Sequence, residues 1–131
     1  MVRIDTDIII NLFRKGPSTM QLLSRLEKTN HLFSTTCINT FEIWRGILKS
    51  RTEEEKRNAI EFLERLAHFE FSYAASQKAA EILEDLKKRG EMIELTDILI
   101  AAICMVQDES LLTINTKHFS KIQGLKLTPL V

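Results

Sequence analysis

The sequence has no excess of charge of either sign. Lys and Arg together number 18 among the 131 residues, as do Asp and Glu, so the formal net charge is zero. A general basic coat for nucleic acid is therefore excluded, and any contact with RNA or DNA must come from a local patch.

Cysteine is scarce, and long apolar runs are absent. Cys37 and Cys104 lie far apart and form no CxxC pair, which argues against a thiol or zinc site and favours two core residues. The longest apolar run, Ile98 to Val106, has nine residues and is too short to span a bilayer. The N-terminus lacks the pattern of a secretory signal, so we expect a cytoplasmic protein.

Short apolar strands alternate with helices along the chain. We predict strands at 2–4, 31–34, 69–71 and 111–113, with a fifth candidate at 125–127, and helices at 8–13, 18–26, 38–49, 51–67, 74–89 and 96–107. The alternation predicts an α/β fold with a parallel sheet covered on both faces. No repeat or linker divides the chain, so we expect one domain over 1–131, with ligands bound at the carboxyl ends of the strands.

Three carboxylates stand in unusual surroundings. Asp5 follows the first strand, although it can equally be a helix N-cap. Asp97 directly precedes the nine apolar residues, where the helix dipole alone would favour it. Glu42 lies at the rim of a predicted apolar stripe on its helix, and an ion pair with Arg45 is its ordinary alternative. That stripe consists of Ile38, Phe41, Trp44 and Leu48.

Convergence of the three acids would require a cation. Two like charges about 4 Å apart repel by roughly 4 kcal/mol at an effective dielectric constant near 20. Oxygen ligands without a cluster of Cys or His favour Mg²⁺ or Mn²⁺ over zinc. A hydrated divalent ion held by carboxylates is suited to cleaving phosphodiester bonds.

Four segments of the sequence resemble the PIN-domain family. They are Ile4 to Ile10, Phe41 to Gly46, Thr96 to Ala102 and Leu111 to Phe119, and they follow the family's order. The resemblance implies a three-layer α/β/α fold with a central, mainly parallel sheet of four to five strands. It also implies a metal site of Asp5, Glu42 and Asp97. Asn115 matches a fourth catalytic position that is Asp in many relatives, and its amide argues against a second tightly held metal.

The resemblance extends to the VapC-like toxins and implies an activity and partners. The activity is cleavage of structured RNA, such as tRNA or rRNA, and the partners are a second copy in a homodimer and a VapB-like antitoxin. Thr6, Thr113, Asp7 and Glu94 are candidates to support the acids, although Asp7 and Glu94 can also be a helix cap and a helix-start charge. Candidate RNA contacts are Arg14, Lys15, Arg45, Lys117 and His118.

Two other interpretations are open. Asp5-Thr6-Asp7 also matches the opening of haloacid-dehalogenase-like phosphatases, in which the first Asp is a nucleophile. Those enzymes usually have Thr or Val where this chain has Ile9, and they use a paired acidic motif, whereas this chain has no Asp-Asp. The other interpretation is a PIN-like binding module whose catalytic site has decayed.

Overall fold

The structure, a computed structural model, describes residues 2–13, 33–49 and 52–128, with the single helical positions 21, 24 and 28. The helix predicted over 18–26 and the start of the strand predicted over 31–34 lie largely outside these residues. Within them, the strands are β1 (Val2–Ile4), β2 (Phe33–Thr36), β3 (Ala67–Phe69) and β4 (Ser110–Leu112). The helices are α1 (Thr6–Phe13), α2 (Cys37–Lys49), α3 (Glu53–Glu64), α4 (Tyr73–Arg89), α5 (Leu95–Val106) and α6 (Thr116–Phe119).

The four strands form one parallel sheet in the order β3-β2-β1-β4. The chain moves outward from β1 to β3 and then returns to place β4 on the other side of β1, so the strand order reverses between β1 and β4. This confirms the predicted α/β fold with a parallel sheet. The fifth candidate strand is only an isolated bridge between Leu111 and Leu127.

Apolar side chains cover both faces of the sheet. Helices α4 and α5 pack together on one face, where α5 buries an almost continuous run from Ile98 to Cys104. On the other face, α1, α2 and α3 bury residues such as Ile8, Ile43 and Leu63 against β1. Both cysteines are free thiols; Cys104 lies in the core as predicted, whereas Cys37 is only half-buried.

Helix α3 is shorter than predicted, and β3 begins earlier. The helix starts after Thr52, whose hydroxyl accepts a hydrogen bond from the Glu55 N–H, and it ends at Glu64 rather than at residue 67. The chain then enters β3 at Ala67, two residues before the predicted strand. Helix α4 ends as predicted at Gly90, which adopts a left-handed φ of 67° that glycine accepts without strain.

Of the predicted apolar stripe of α2, only Ile38 packs against the core. The structure buries Asn39, Ile43 and Ile47, and leaves Phe41, Trp44 and Leu48 exposed. The helix therefore has two apolar faces, and the 3.6-residue period alone did not indicate which would be buried. Contacts with α1 and the sheet select the face that carries Ile43 and Ile47.

Within the part of the chain that the structure describes, none of the helices has both the length and the apolarity needed to cross a membrane.

Candidate functional site

Asp5 lies at the carboxyl end of β1, beside the point where the strand order reverses. Its side chain is nearly buried, yet both carboxylate oxygens have hydrogen-bond donors. Oδ1 accepts from the Thr6 N–H at 2.9 Å and from the Asn39 Nδ2 at 2.7 Å, while Oδ2 accepts from the Thr113 hydroxyl at 2.6 Å. These donors follow β1, β2 and β4 along the chain, so three elements of the fold fix one carboxylate.

Glu42 reaches the same site from α2. Its Oε1 accepts a hydrogen bond of 2.7 Å from the Thr6 hydroxyl, next to Asp5. Burial raises the pKa of Glu42 despite that hydrogen bond, and the charges of Asp5, Asp97 and Glu94 raise it further. The hydrogen-bond partner of Glu42 is Thr6. The ion pair with Arg45, which was the alternative interpretation of Glu42, is not formed.

Asp97 enters from the first turn of α5 and is connected to Asp5 through side chains after β4. The Nδ1 atom of His118 lies 3.4 Å from Asp97 Oδ2 and 3.0 Å from Asn115 Nδ2. The N–H of Asn115 donates to Thr113 Oγ1 at 3.0 Å, and Thr113 in turn donates to Asp5. The segment after β4 thus contacts Asp97 through His118 and Asp5 through Thr113, and His118 Nδ1 can either donate to Asp97 or accept from Asn115.

The electrostatics place Asp97 in the same cluster. Burial raises the pKa of Asp97, and repulsion from Asp5 and Glu94 adds to the rise, whereas His118 opposes it. Glu94, the residue before α5, makes no side-chain cap hydrogen bond. Its charge bears on both Asp97 and Glu42, which gives Glu94 an electrostatic connection to the site.

The acids share a site without closing around one point. Among the described residues, no group of three or more His, Cys, Asp or Glu side chains is arranged to hold a metal ion. Asp5 and Glu42 instead lie around shared donors, Thr6 and Asn39. Burial, followed by repulsion from the neighbouring acids, raises the pKa values of Glu42 and Asp97. A hard divalent cation would relieve that repulsion, and carboxylate oxygens are the ligands it prefers, so the donor set fits such an ion.

Comparison with known proteins identifies the family of this chain. Residues 2–125 match the PIN domain. The chain belongs to the PIN-domain family. Among curated relatives, Ribonuclease VapC1 of Rickettsia felis is 31% identical over 128 residues, covering 95% of this chain and 92% of that protein. Ribonuclease VapC2 of the same organism is 28% identical over 125 residues, covering 95% and 93%.

A solved relative shares the fold of this PIN domain over its whole length. The crystal structure of VapBC2 from Rickettsia felis, bound to a DNA fragment from their promoter, contains a chain that superimposes with a TM-score of 0.87. That chain is 29% identical, and the match covers 98% of each chain. Membership of the PIN-domain family argues against the haloacid-dehalogenase-like interpretation of Asp5-Thr6-Asp7.

Asp7 does not act as a helix cap in this PIN domain. Its Oδ2 accepts from the Ile114 N–H at 3.1 Å and lies 3.2 Å from the Thr113 hydroxyl, which ties α1 to the segment after β4. Its Oδ1 is buried and has no hydrogen-bond partner. Burial, followed by repulsion from Asp5, raises the pKa of Asp7 to about 6.

Replacing Asp7 with Asn should change how stability depends on pH. Between the ordinary value of 3.8 and about 6, folded Asp7 keeps a proton that the unfolded chain has lost, so its contribution to stability falls as pH rises through this window. The shift corresponds to roughly 3 kcal/mol, and partial solvent screening lowers this contribution to about 1–2 kcal/mol. Asp7→Asn should therefore gain that much stability relative to the parent between about pH 4 and pH 8, measured by denaturant unfolding in EDTA. Exposed Asp108→Asn is the control, and an unchanged difference across this range would contradict the expectation.

Sequence reasoning missed Thr36 and Asn39. Asn39 is fully buried on the inner face of α2 and donates to both Asp5 and Thr6, while Thr36 donates to Asn39. The available signal was a polar residue one turn before Glu42, on the face that also carries Ile43. Because that face lies opposite the predicted apolar stripe, Asn39 was not considered as a site residue.

The predicted RNA contacts differ in where they lie. Lys117 and His118 are both on α6; His118 contacts Asp97, whereas Lys117 is exposed. Arg45 is exposed on α2, with its guanidinium 5.8 Å from the centre of the Phe41 ring. Arg14 and Lys15 lie outside the described residues.

Proposed function

We propose that this PIN domain is the toxin of a toxin–antitoxin pair and hydrolyses RNA phosphodiester bonds with a divalent cation held by Asp5, Glu42 and Asp97. The observation that supports this proposal most strongly is the connected site. Thr6 donates hydrogen bonds to both Asp5 and Glu42, while Asp97 contacts His118 on the segment that also carries Thr113, a donor to Asp5. Burial, followed by repulsion among the acids, raises the pKa values of Glu42 and Asp97. The names of the curated VapC relatives agree with ribonuclease activity.

The chain's own residues would orient the ligands and the substrate. A bound Mg²⁺ or Mn²⁺ supplies an activated water and neutralises charge on the phosphoryl oxygens. Thr6 and Thr113 hold the carboxylates of Glu42 and Asp5 by donating hydrogen bonds to them. Asn115 occupies the fourth catalytic position, where an amide adds no charge, and this favours one tightly held ion.

Substrate contacts are proposed for the cations near the motif segments. Lys117 and Arg45 are exposed cations on α6 and α2, and either can pair with phosphate oxygens. His118 lies against Asp97 and is partly exposed, so its ring can donate a hydrogen bond or a proton to an oxygen of the substrate. An RNA target such as tRNA or rRNA, and cytoplasmic action, stay predictions of the family resemblance.

We infer that the antitoxin covers the outer face of α2, meaning Phe41, Trp44 and Leu48. These side chains are 57%, 40% and 75% exposed, and their i, i+3, i+7 spacing suits an apolar partner segment. Exposed Arg45 and Lys49 lie along one edge of this face, so the partner should carry acidic residues beside its apolar ones. The homodimer stays a prediction without an assigned surface.

The activity is tested with the purified chain and a defined set of RNAs. We expect cleavage with Mg²⁺ or Mn²⁺ that stops in EDTA and resumes when the metal is restored. The products should carry a 5′-phosphate and a 3′-hydroxyl, which ligation-based sequencing of the cut ends detects. Raising the salt concentration should weaken RNA binding because phosphate contacts release counterions. Cleavage that continues unchanged in EDTA would contradict the metal-dependent mechanism, and no cleavage of any RNA would favour the inactive module.

A further inference from the structure

Asn39 occupies the centre of the hydrogen bonds that join Asp5 to Glu42. Its Oδ1 accepts from the Thr36 hydroxyl at 2.7 Å, and its Nδ2 donates to Asp5 Oδ1 at 2.7 Å and to Thr6 Oγ1 at 3.0 Å. The side chain is 0% exposed. A buried amide is costly unless its polar atoms have partners, and here both the oxygen and the nitrogen have them.

The donors and acceptors around Asn39 follow one order, from Thr36 through Asn39 and Thr6 to Glu42. Thr36 Oγ1 accepts from the Asn39 backbone N–H at 3.2 Å, and its own proton is directed to Asn39 Oδ1. This places the amide oxygen towards Thr36 and the amide nitrogen towards the acids. Thr6 Oγ1 accepts from that nitrogen, so the proton of Thr6 goes to Glu42 Oε1 at 2.7 Å.

Both carboxylates are therefore acceptors in one network. Asp5 takes an amide N–H directly, and Glu42 takes the hydroxyl that the same amide orients. An amide can do this without adding charge, so the negative charge of the two acids stays available to a cation. Aspartate at position 39 would add a further negative charge, and an apolar side chain would leave the Thr6 hydroxyl without its donor.

We propose that Asn39 is a positioning residue that holds Asp5 and Glu42 in a fixed relation for cation binding. This inference rests on the proposed function, because it assigns Asn39 a role in the same metal site. The proposed role requires no contact between Asn39 and the substrate. It acts through the two carboxylates, as residues that hydrogen-bond to metal ligands commonly do.

The test compares Asn39→Leu, which has a similar volume and no amide, with the parent. Mn²⁺ affinity is measured without RNA, by titration followed by electron paramagnetic resonance. We expect that affinity to fall by about 10–100-fold, the range found when a partner of a metal ligand is removed. The kcat for RNA cleavage should fall, while RNA affinity in EDTA should stay unchanged. Thr40→Val is the matched control, because that hydroxyl contacts Thr36 O and His68 but neither acid.

A second variant covers the possibility that Asn39→Leu does not fold. Thr36→Val keeps the amide but removes the hydroxyl that orients it, and we expect a several-fold loss of Mn²⁺ affinity with Thr36→Ser restoring it. Combining Thr6→Val with Asn39→Leu should weaken Mn²⁺ binding by less than the product of the single effects, since both interrupt one network.

The outcomes separate the two proposals. If the parent cleaves RNA and the folded Asn39 and Thr36 variants bind Mn²⁺ as tightly as the parent does, the role of Asn39 is wrong and the proposed ribonuclease function stands. If the parent binds no Mn²⁺ and cleaves no RNA, both proposals are overturned.

Discussion

Replacing Asp5 or Asp97 with Asn is expected to reduce the rate of RNA cleavage by about 10³-fold or more, equivalent to at least ~4 kcal/mol of transition-state stabilisation. Each substitution keeps the side-chain shape and removes one charge from the proposed cation site. The decisive measurement is single-turnover cleavage at saturating Mg²⁺. Asp108→Asn is the matched control, because Asp108 is exposed and pairs with Lys126 at 2.8 Å, apart from the acid site.

The folded state should survive the Asp97 change. Burial and the neighbouring acids raise the pKa of Asp97, so its ionised form opposes folding at neutral pH and its removal should not lower stability in EDTA. The parent should gain thermal stability when Mg²⁺ or Mn²⁺ is added, because a ligand that binds only the folded state stabilises it. That gain should disappear in Asp97→Asn. A triple variant of Asp5, Glu42 and Asp97 that cleaves as fast as the parent would refute the assignment.

The sheet was predictable from the sequence because its strands carry local signals. Apolar residues mark β1 and β4, while β2, Phe33–Thr36, is mostly polar and lies two residues after its predicted position. A parallel sheet brings the carboxyl ends of neighbouring strands to one edge. Asp5 and Thr113 therefore meet although 108 positions separate them. The family resemblance also identified Glu42 and Asp97 as site residues, because the order of the family's motifs indicates which acids belong to the site, whereas apolar periodicity indicates only helices and strands.

The contacts among the acids were not predictable in the same way. Asp7 is bound by the Ile114 N–H, 107 positions along the chain, and nothing near residue 7 indicates that partner. The acid was accordingly interpreted as a possible helix cap. Asn39 was missed because α2 has apolar residues on two sides, and its rotation is decided by packing against α1 and the sheet.

The same rotation explains the exposed face of α2. Ile43 and Ile47 are the residues of α2 that pack into the core, so Trp44 and Leu48 face solvent. Exposed apolar side chains do not stabilise the fold of a monomeric domain. Polar residues there would leave the fold unchanged. We therefore propose that this face binds a partner. Because Arg45 and Lys49 are exposed beside it, the partner should carry acidic residues.

Trp44→Ala is expected to weaken binding of the antitoxin by about 30-fold or more, since truncating a buried interface tryptophan commonly costs at least ~2 kcal/mol. Leu48→Asp should weaken it further by placing a charge in the apolar contact. The measurement is titration calorimetry with the purified cognate antitoxin, and Tyr73→Ala, which removes another exposed aromatic residue on α4, is the control. RNA cleavage by the free variants should stay at the level of the parent, because both side chains are exposed on α2, whereas the face that carries Asn39 is buried. Full antitoxin affinity in both variants would show that the partner binds elsewhere, and loss of self-association instead would reassign this face to the homodimer.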